Sequence, residues 1–479
     1  SRAIDPQRFC DDSMSEAAAA STSRTREVRR IGRLAWPMML SQLSMVGMGV
    51  TDVLVAGQAG TADLAAITIG AHLWELSMLM MYGVMLANGP LIGQALGAGK
   101  PRDLRHQFQQ CLWLALPLSL LCALAIGAAS GLLGVLSLEA EVRSIAADYL
   151  LPISLVAALV PFSLTLRTTY EGLGEPRPVM RFWIAAFLLN IPLDYVLVLG
   201  AFGWPGLGGA GCGWASLIAY GSLQCGVLLH SRLAPTLRRY RLYEQFAGPD
   251  WPTIRHTLAI GLPIGLSMLS VGGFFAVAPL LLAALGSTAV AGHGVAITVD
   301  WMMLMVPMGI AQAITVRVAH EAGAGRPPAA VYACTTGLAL VAAVALLQAA
   351  LTVLLRQPIV ALFSDDGAVV SLAADLLLFA AAFRLFDAMQ IAAGAALRGY
   401  KDTRVASAIN LVCYWLIGLP LAYTLATEHL APLPTGVRGF WLGMLLCIVC
   451  NAVAMNWRLW YTCRRSLSRI PVPHEPASH

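Results

Sequence analysis

Long stretches without a single Asp, Glu, Lys or Arg constrain this chain more than any other feature. Residues 76–99, 107–138, 195–231, 256–299, 327–355 and 405–427 are such runs. Each reaches or exceeds the roughly 20 apolar residues that cross a hydrocarbon core, and the longest must hold two crossings. A bilayer offers the backbone no water, so only helices and closed barrels span it, and the period-2 alternation of a barrel is absent. Splitting the runs at turn residues predicts twelve helical spans: about 32–57, 63–91, 107–133, 142–172, 178–201, 210–231, 254–284, 288–316, 329–355, 367–397, 404–427 and 437–461. With 12% of residues charged and 58% hydrophobic, too little polar surface remains to cover a water-soluble fold.

The remaining positive charge is one-sided. Of the 31 Lys and Arg, 27 fall before the first span or in alternate loops, as at Lys100, Arg102 and Arg105, at Arg238, Arg239 and Arg241, and at Arg398, Lys401 and Arg404. The positive-inside rule makes that side cytoplasmic and puts both termini there. A net charge of +5 spread over such loops forms no patch for nucleic acid. The partners expected instead are the lipid bilayer and small molecules, with the chain a monomer. Residues 1–13 read as lying upstream of a natural start at Met14, residues 1–30 as a disordered tail, 236–252 as a cytoplasmic linker and 464–479 as a C-terminal tail. No cleavable signal peptide is expected. The cysteines sit mostly in apolar segments, so disulfides are not expected, and Cys447-x-x-Cys450 reads as small packing residues rather than a redox or metal pair.

The two halves of the chain repeat. "GAGKP" at 97–101 returns as "GAGRP" at 323–327, Trp36-Pro37 as Leu262-Pro263, "NIPLDY" at 190–195 as "GLPLAY" at 418–423, and "GAGCGW" at 209–214 as "GVRGFW" at 436–441. The offset stays between 226 and 228. Six spans per half is an even number, so the halves share one orientation and are related by a pseudo-two-fold axis along the membrane normal. The fold class predicted is therefore an all-α membrane protein of twelve transmembrane helices in two six-helix lobes, an N-lobe over 31–235 and a C-lobe over 253–463. Two such lobes can rock about a cavity between them, which is the architecture of an alternating-access transporter. "GAGK" is not a phosphate cradle: Gln94 stands where a P-loop needs its first Gly, and Pro101 where it needs Ser or Thr. With no nucleotide motor, an ion gradient or a partner protein has to supply the energy.

An ionised side chain at bilayer depth is expensive, about 2.5–3.5 kcal/mol on insertion scales, so each one calls for a partner, a wet cavity or a function. Asp52, Glu75, Asp194, Asp300, Arg384 and Asp387 lie there, whereas Asp148, Asp375 and Glu171 fall nearer helix ends and read as solvated. Asn190 and Asp194 are four apart and share a face, with Pro192 loosening the ladder between them. If span 1 packs beside span 5, Asp52 joins them. That trio would make a three-oxygen sodium site, a carboxyl pair sharing one proton, or a structural polar cluster. Arg384 and Asp387, three apart, either satisfy each other or meet a substrate or ion. Glu75 and Asp300 fall within one residue of equivalent repeat positions and are expected to line the cavity. His72 and His293 read as packing groups. Methionines such as Met45 and Met302 crowd spans 1, 2 and 8, where packing is the default and an adaptable apolar binding surface the alternative.

"TDVLVAG" at 51–57, "LAAI" at 64–67, "NIPLDY" at 190–195, "ALRGYKDT" at 396–403 and the twelve-span repeat together resemble the multidrug and toxic compound extrusion (MATE) family, in its NorM-like branch. The resemblance covers nearly the whole chain from about residue 30. It implies a cation-coupled antiporter of the bacterial inner membrane that expels amphipathic organic cations in exchange for H+ or Na+, with no resident cofactor. It also implies an N-lobe cation or proton site at Asp52, Asn190 and Asp194. The branch's C-lobe sodium site pairs a Glu of span 7 with an Asp of span 10; the Asp falls on Asp387, but the Glu position is Val271, and Arg384 stands one turn from the remaining acid. Half of that site is missing. A flippase for lipid-linked sugars is a related alternative, though the mid-membrane charges are mainly acidic and suit cationic cargo. A membrane-embedded enzyme is the alternative of another class, and its usual signatures are absent.

Overall fold

A computed structural model describes residues 6–134, 138–200, 203, 205–363, 366–427 and 435–468, with side chains from residue 24 onward except Leu132. Among them are twelve helices long and apolar enough to cross a membrane. We number them α1 (Arg24–Ala59), α2 (Thr61–Gly97), α3 (Pro101–Gly131), α4 (Ala140–Gly172), α5 (Arg177–Leu199) and α6 (Ala210–Leu233) in the first half. The second half holds α7 (Trp251–Leu285), α8 (Ser287–Gly323), α9 (Pro327–Ala361), α10 (Gly367–Gly399), α11 (Thr403–Thr427) and α12 (Gly436–Leu467).

The repeated motifs fold alike. After α2, Gly99 takes φ +66 and the Lys100 amide reaches back to the Ala95 carbonyl; after α8, Gly325 takes φ +66 and the Arg326 amide reaches the Glu321 carbonyl. In both copies a left-handed glycine closes the helix and the following Pro opens the next, at the one position where its missing N–H costs nothing. "GAGK" is thus a helix stop. Gly174 after α4 repeats the turn at φ +76, with the Glu175 amide on the Tyr170 carbonyl, and the corresponding corner after α10 departs from the rule, because Lys401 holds φ +63 without being a glycine.

The lobes exchange their first turns. Ile31, Ala35 and Met38 of α1 pack with Ile310, Ile314 and Met455 in the C-lobe core, while Ile254 of α7 packs with Val84 and Leu114 in the N-lobe. Close crossings between the halves are built from glycine. A Cβ on Gly83 would strike the Gly265 backbone, and one on Gly309 would strike Met39.

The stretch expected as a disordered tail over 1–30 is helical from Pro6, and Glu27 within it is buried against Arg317; residues 1–5 and 469–479 lie outside the described residues. The segment read as a linker docks on α3: Gln109, Gln110 and Trp113 of α3 donate to the carbonyls of Leu242, Gly248 and Ala247 at 2.9–3.0 Å. At its end the Asp250 carboxyl is held below the usual carboxylate range, chiefly by the Thr253 hydroxyl and then by His106.

Candidate functional site

The expected meeting of α1 and α5 occurs. Asp52 is buried, and its Oδ1 accepts from Asn190 Nδ2 at 3.5 Å while its Oδ2 accepts from the Ser216 hydroxyl at 3.2 Å. Ligand atoms of Asp52, Asp194 and Cys212 lie within 4.8 Å of one another. Local sequence explains the convergence. Pro192 leaves α5 without one donor, and the helix slackens into a π turn over Tyr195–Leu199 immediately after Asp194. The first turns of α6 are small, with Gly211 against the Leu197 carbonyl and Gly213 against Tyr149 and Pro152, so α6 comes close enough to bring Ser216 onto Asp52.

This cluster has more acceptors than donors. Both carboxylate oxygens of Asp194 and the side-chain oxygen of Asn190 are buried with no hydrogen-bond partner, and among the described residues no Lys, Arg or His pairs with either Asp52 or Asp194. Buried charge without a partner is strongly unfavourable, so the site asks for a positive species. Hard oxygens suit a proton or an alkali cation; the Cys212 sulfur, which bonds the Asp52 carbonyl at 3.5 Å, suits neither.

The C-lobe acids are arranged oppositely. Arg384 is 2% exposed, donates from Nε to Asp300 at 3.0 Å and from Nη2 to the Asp300 carbonyl at 2.9 Å, and donates from Nη1 to Asp387 at 2.6 Å. Gln390 donates to the other oxygen of Asp387 at 3.2 Å. The Arg384–Asp387 pair is therefore self-satisfied as one of its expected readings had it, with Asp300 as a third member. Asp300 is enclosed in this triad instead of facing a cavity. Val271 packs on the apolar C-lobe core.

The remaining expected residues do not gather at either cluster. Glu75 is exposed on α2, and Met302 is 64% exposed on α8. Met45 accepts a hydrogen bond from the Tyr82 hydroxyl at 3.7 Å within an N-lobe core. His293 packs edge-on against Trp441, whereas His72 is exposed. Glu171, expected to be solvated, is buried and holds Arg167 at 2.8 Å; Arg167 also reaches Gln42 at 2.9 Å and Gln312 of the other lobe at 3.3 Å. Asp63, not anticipated from sequence, accepts from the Gly209 amide at 2.5 Å and pins the entry to α6.

Hydrogen bonds between the lobes concentrate at the end carrying the basic loops. Gln94 donates to the Gly399 carbonyl at 2.8 Å, His320 meets the Gly172 carbonyl at 2.6 Å, and Gln107 donates to Thr257 at 3.0 Å. Among the described residues none joins the lobes at the opposite end.

Comparison with known proteins follows the same symmetry. The MatE family model matches residues 37–196 and 263–424, one block in each lobe. Multidrug resistance protein PmpM of Pseudomonas aeruginosa is 37% identical over 440 residues, covering 92% of this chain and 92% of its own length. Multidrug resistance protein NorM of Aliivibrio fischeri is 35% identical over 445 residues, covering 93% and 96%. Among solved structures, the eukaryotic MATE transporter AtDTX14 superposes with a TM-score of 0.79 at 21% identity, over 93% of this chain and 99% of its own. An outward-facing multidrug resistance MATE family transporter of the MOP superfamily gives 0.84 at 17%, over 92% and 96%, a likeness of fold.

Proposed function

The chain belongs to the MatE family of multi-pass membrane transporters, and from that premise we propose that it exports amphipathic organic cations by alternating access, exchanging them for H+ or Na+ at Asp52, Asn190 and Asp194. The observation that carries this reading is the pair of buried carboxylates with no counter-cation and three unpartnered acceptor oxygens. A proton or sodium ion is the species that such a pocket stabilises. The C-lobe acids, already held by Arg384, are the weaker candidate for coupling.

The basic-loop end is read as cytoplasmic in the inner membrane, which puts the inter-lobe hydrogen bonds on the cytoplasmic side. Glu75 and Met302 then serve as cavity-wall groups that attract and adapt to lipophilic cations. Ion binding and cargo binding must favour different states for exchange to occur, and their affinities are reciprocally linked.

Proteoliposomes with separately imposed proton and sodium gradients test the proposal. Efflux of a lipophilic cationic dye should follow one of the two gradients. Asp52→Asn, which removes a charge with almost no change of shape, should abolish gradient-driven efflux while insertion is preserved, and Asp387→Asn should reduce it far less. Normal coupled efflux in Asp52→Asn with loss in Asp387→Asn would place coupling in the C-lobe and overturn the reading.

A further inference from the structure

A cavity of about 410 Å³ opens where α3, α4 and α6 meet the docked linker, and neither Asp52 nor Asp194 lines it. Its walls are apolar, formed by Leu112, Phe162, Leu166 and Leu228. Along α6 it runs from Gln224 to Arg232, eight residues or about 12 Å at 1.5 Å per residue, ending one residue before the helix does. The groove thus begins at the membrane interface and descends into the hydrocarbon.

The mouth is cationic and fixed. The Arg232 guanidinium lies 5.0 Å over the Tyr243 ring, and the Tyr243 hydroxyl is held by Ser231 at 2.5 Å, so the linker positions the aromatic surface on which the guanidinium rests. Arg232 has no carboxylate partner among the described residues. The linker's acids are engaged elsewhere, Glu244 with Arg241 and Asp250 with His106 and Thr253.

The pseudo-symmetric copy has no such feature. The offset of 227 that aligns "GAGCGW" with "GVRGFW" carries Gln224, Leu228 and Arg232 onto Asn451, Met455 and Leu459. Those three are 0%, 1% and 4% exposed, and the last replaces the cation with a buried Leu. The groove therefore does not follow from the repeat itself; it depends on Arg232 and on the linker that only the first half possesses.

We propose that this groove is a site for one bilayer lipid with an anionic headgroup, its phosphate on Arg232 and an acyl chain along the leucines toward Gln224. A guanidinium offers a forked donor set that matches phosphate oxygens. The apolar depth below it selects a lipid over a free anion. Because the linker joins the lobes and supplies Tyr243, a lipid here bears on their relative position.

The full chain reconstituted in vesicles of equal phosphatidylglycerol and phosphatidylcholine, then examined by native mass spectrometry, tests the site. The wild type should retain phosphatidylglycerol in about fivefold excess, the factor that one interfacial cation supplies toward an anionic lipid. Arg232→Gln should bring the ratio to about one. Arg239→Gln, whose guanidinium lies over Tyr240, should leave it unchanged. Leu228→Trp, which fills the groove and spares the charge, should lower retention of both lipids and supplies the readout should Arg232→Gln fail to insert. Equal retention of the two lipids by the wild type, an unchanged ratio in Arg232→Gln, or displacement of the bound species by inorganic phosphate alone would each overturn the proposal.

Discussion

Arg384 holds two acids at once, and its removal is the perturbation with the most calculable consequence. The side chain is 2% exposed and reaches Asp300 and Asp387 through separate nitrogens, so Arg384→Met strands two buried carboxylates. Breaking a buried pair from one side costs roughly 3–5 kcal/mol because an uncompensated charge remains, whereas replacing all members by neutral groups of similar shape is often neutral or better. Arg384→Met should therefore lose about 3–5 kcal/mol. Asp300→Asn added to it should recover part of the loss, and Asp387→Asn added as well most of the rest. Thermal unfolding of the purified chain in detergent, followed by tryptophan fluorescence, measures the series. If Arg384→Met alone stays within about 1 kcal/mol of wild type, or if the triple variant is no more stable than the single one, then the triad is not the closed electrostatic unit described.

Three further outcomes are expected. Gly83→Leu pushes α2 and α7 apart where Gly83 meets the Gly265 backbone, so a Met80→Cys probe should react faster with an impermeant maleimide supplied from the basic-loop side than it does without the substitution. Lys401 sits in the left-handed region at φ +63, and burial already pushes its ammonium below the usual lysine range; Lys401→Gly should be close to neutral, whereas Lys401→Val should lose at least about 1–2 kcal/mol by chemical denaturation. Reporter fusions after Arg105 and Arg326 should report cytoplasm and those near Gly60 and Gly286 periplasm, and a periplasmic signal at Arg326 would exclude the parallel arrangement of the two halves.

What was legible in the sequence is what spacing encodes. The twelve spans, the repeat and the Asn190–Asp194 face all follow from periods along one chain, and the prediction that Asp52 would join that face needed only that α1 lie beside α5. Ser216 and Cys212 were not foreseen because no period links α6 to α1; they reach Asp52 only because glycines let the helices close up. Asp300 reads from sequence as a cavity-wall group because its partner Arg384 lies 84 residues away. Glu171 is different: Arg167 stands four residues before it on one helix, a pairing the sequence displays, and that pairing outweighs nearness to a helix end. The docking of the linker is not legible in the sequence because much of it uses backbone groups, which carry no residue signature.

The closed end shows how a symmetric fold can remain reversible. The offset of 226 carries Gln94 onto His320, and that of 227 carries Gly172 onto Gly399, so Gln94 on the Gly399 carbonyl and His320 on the Gly172 carbonyl are one latch made twice. Stronger contacts nearby need not break when the lobes part. Arg167 keeps Glu171 within its own helix when Gln312 leaves. Glu27 and Arg317 pair where α1 already packs into the C-lobe core, and so they stay together. Gln107 and Thr257 stay together because the first turn of α7 packs in the N-lobe, so the latch itself is two hydrogen bonds to backbone, each worth about 0.5–1.5 kcal/mol net. Their sum falls in the range of about 1–3 kcal/mol typical of coupling between two ligand sites. On the proposed exchange mechanism a coupling ion or a bound cation would suffice to reverse this closure, whereas a buried ion pair broken at each turn would exceed what either ligand supplies.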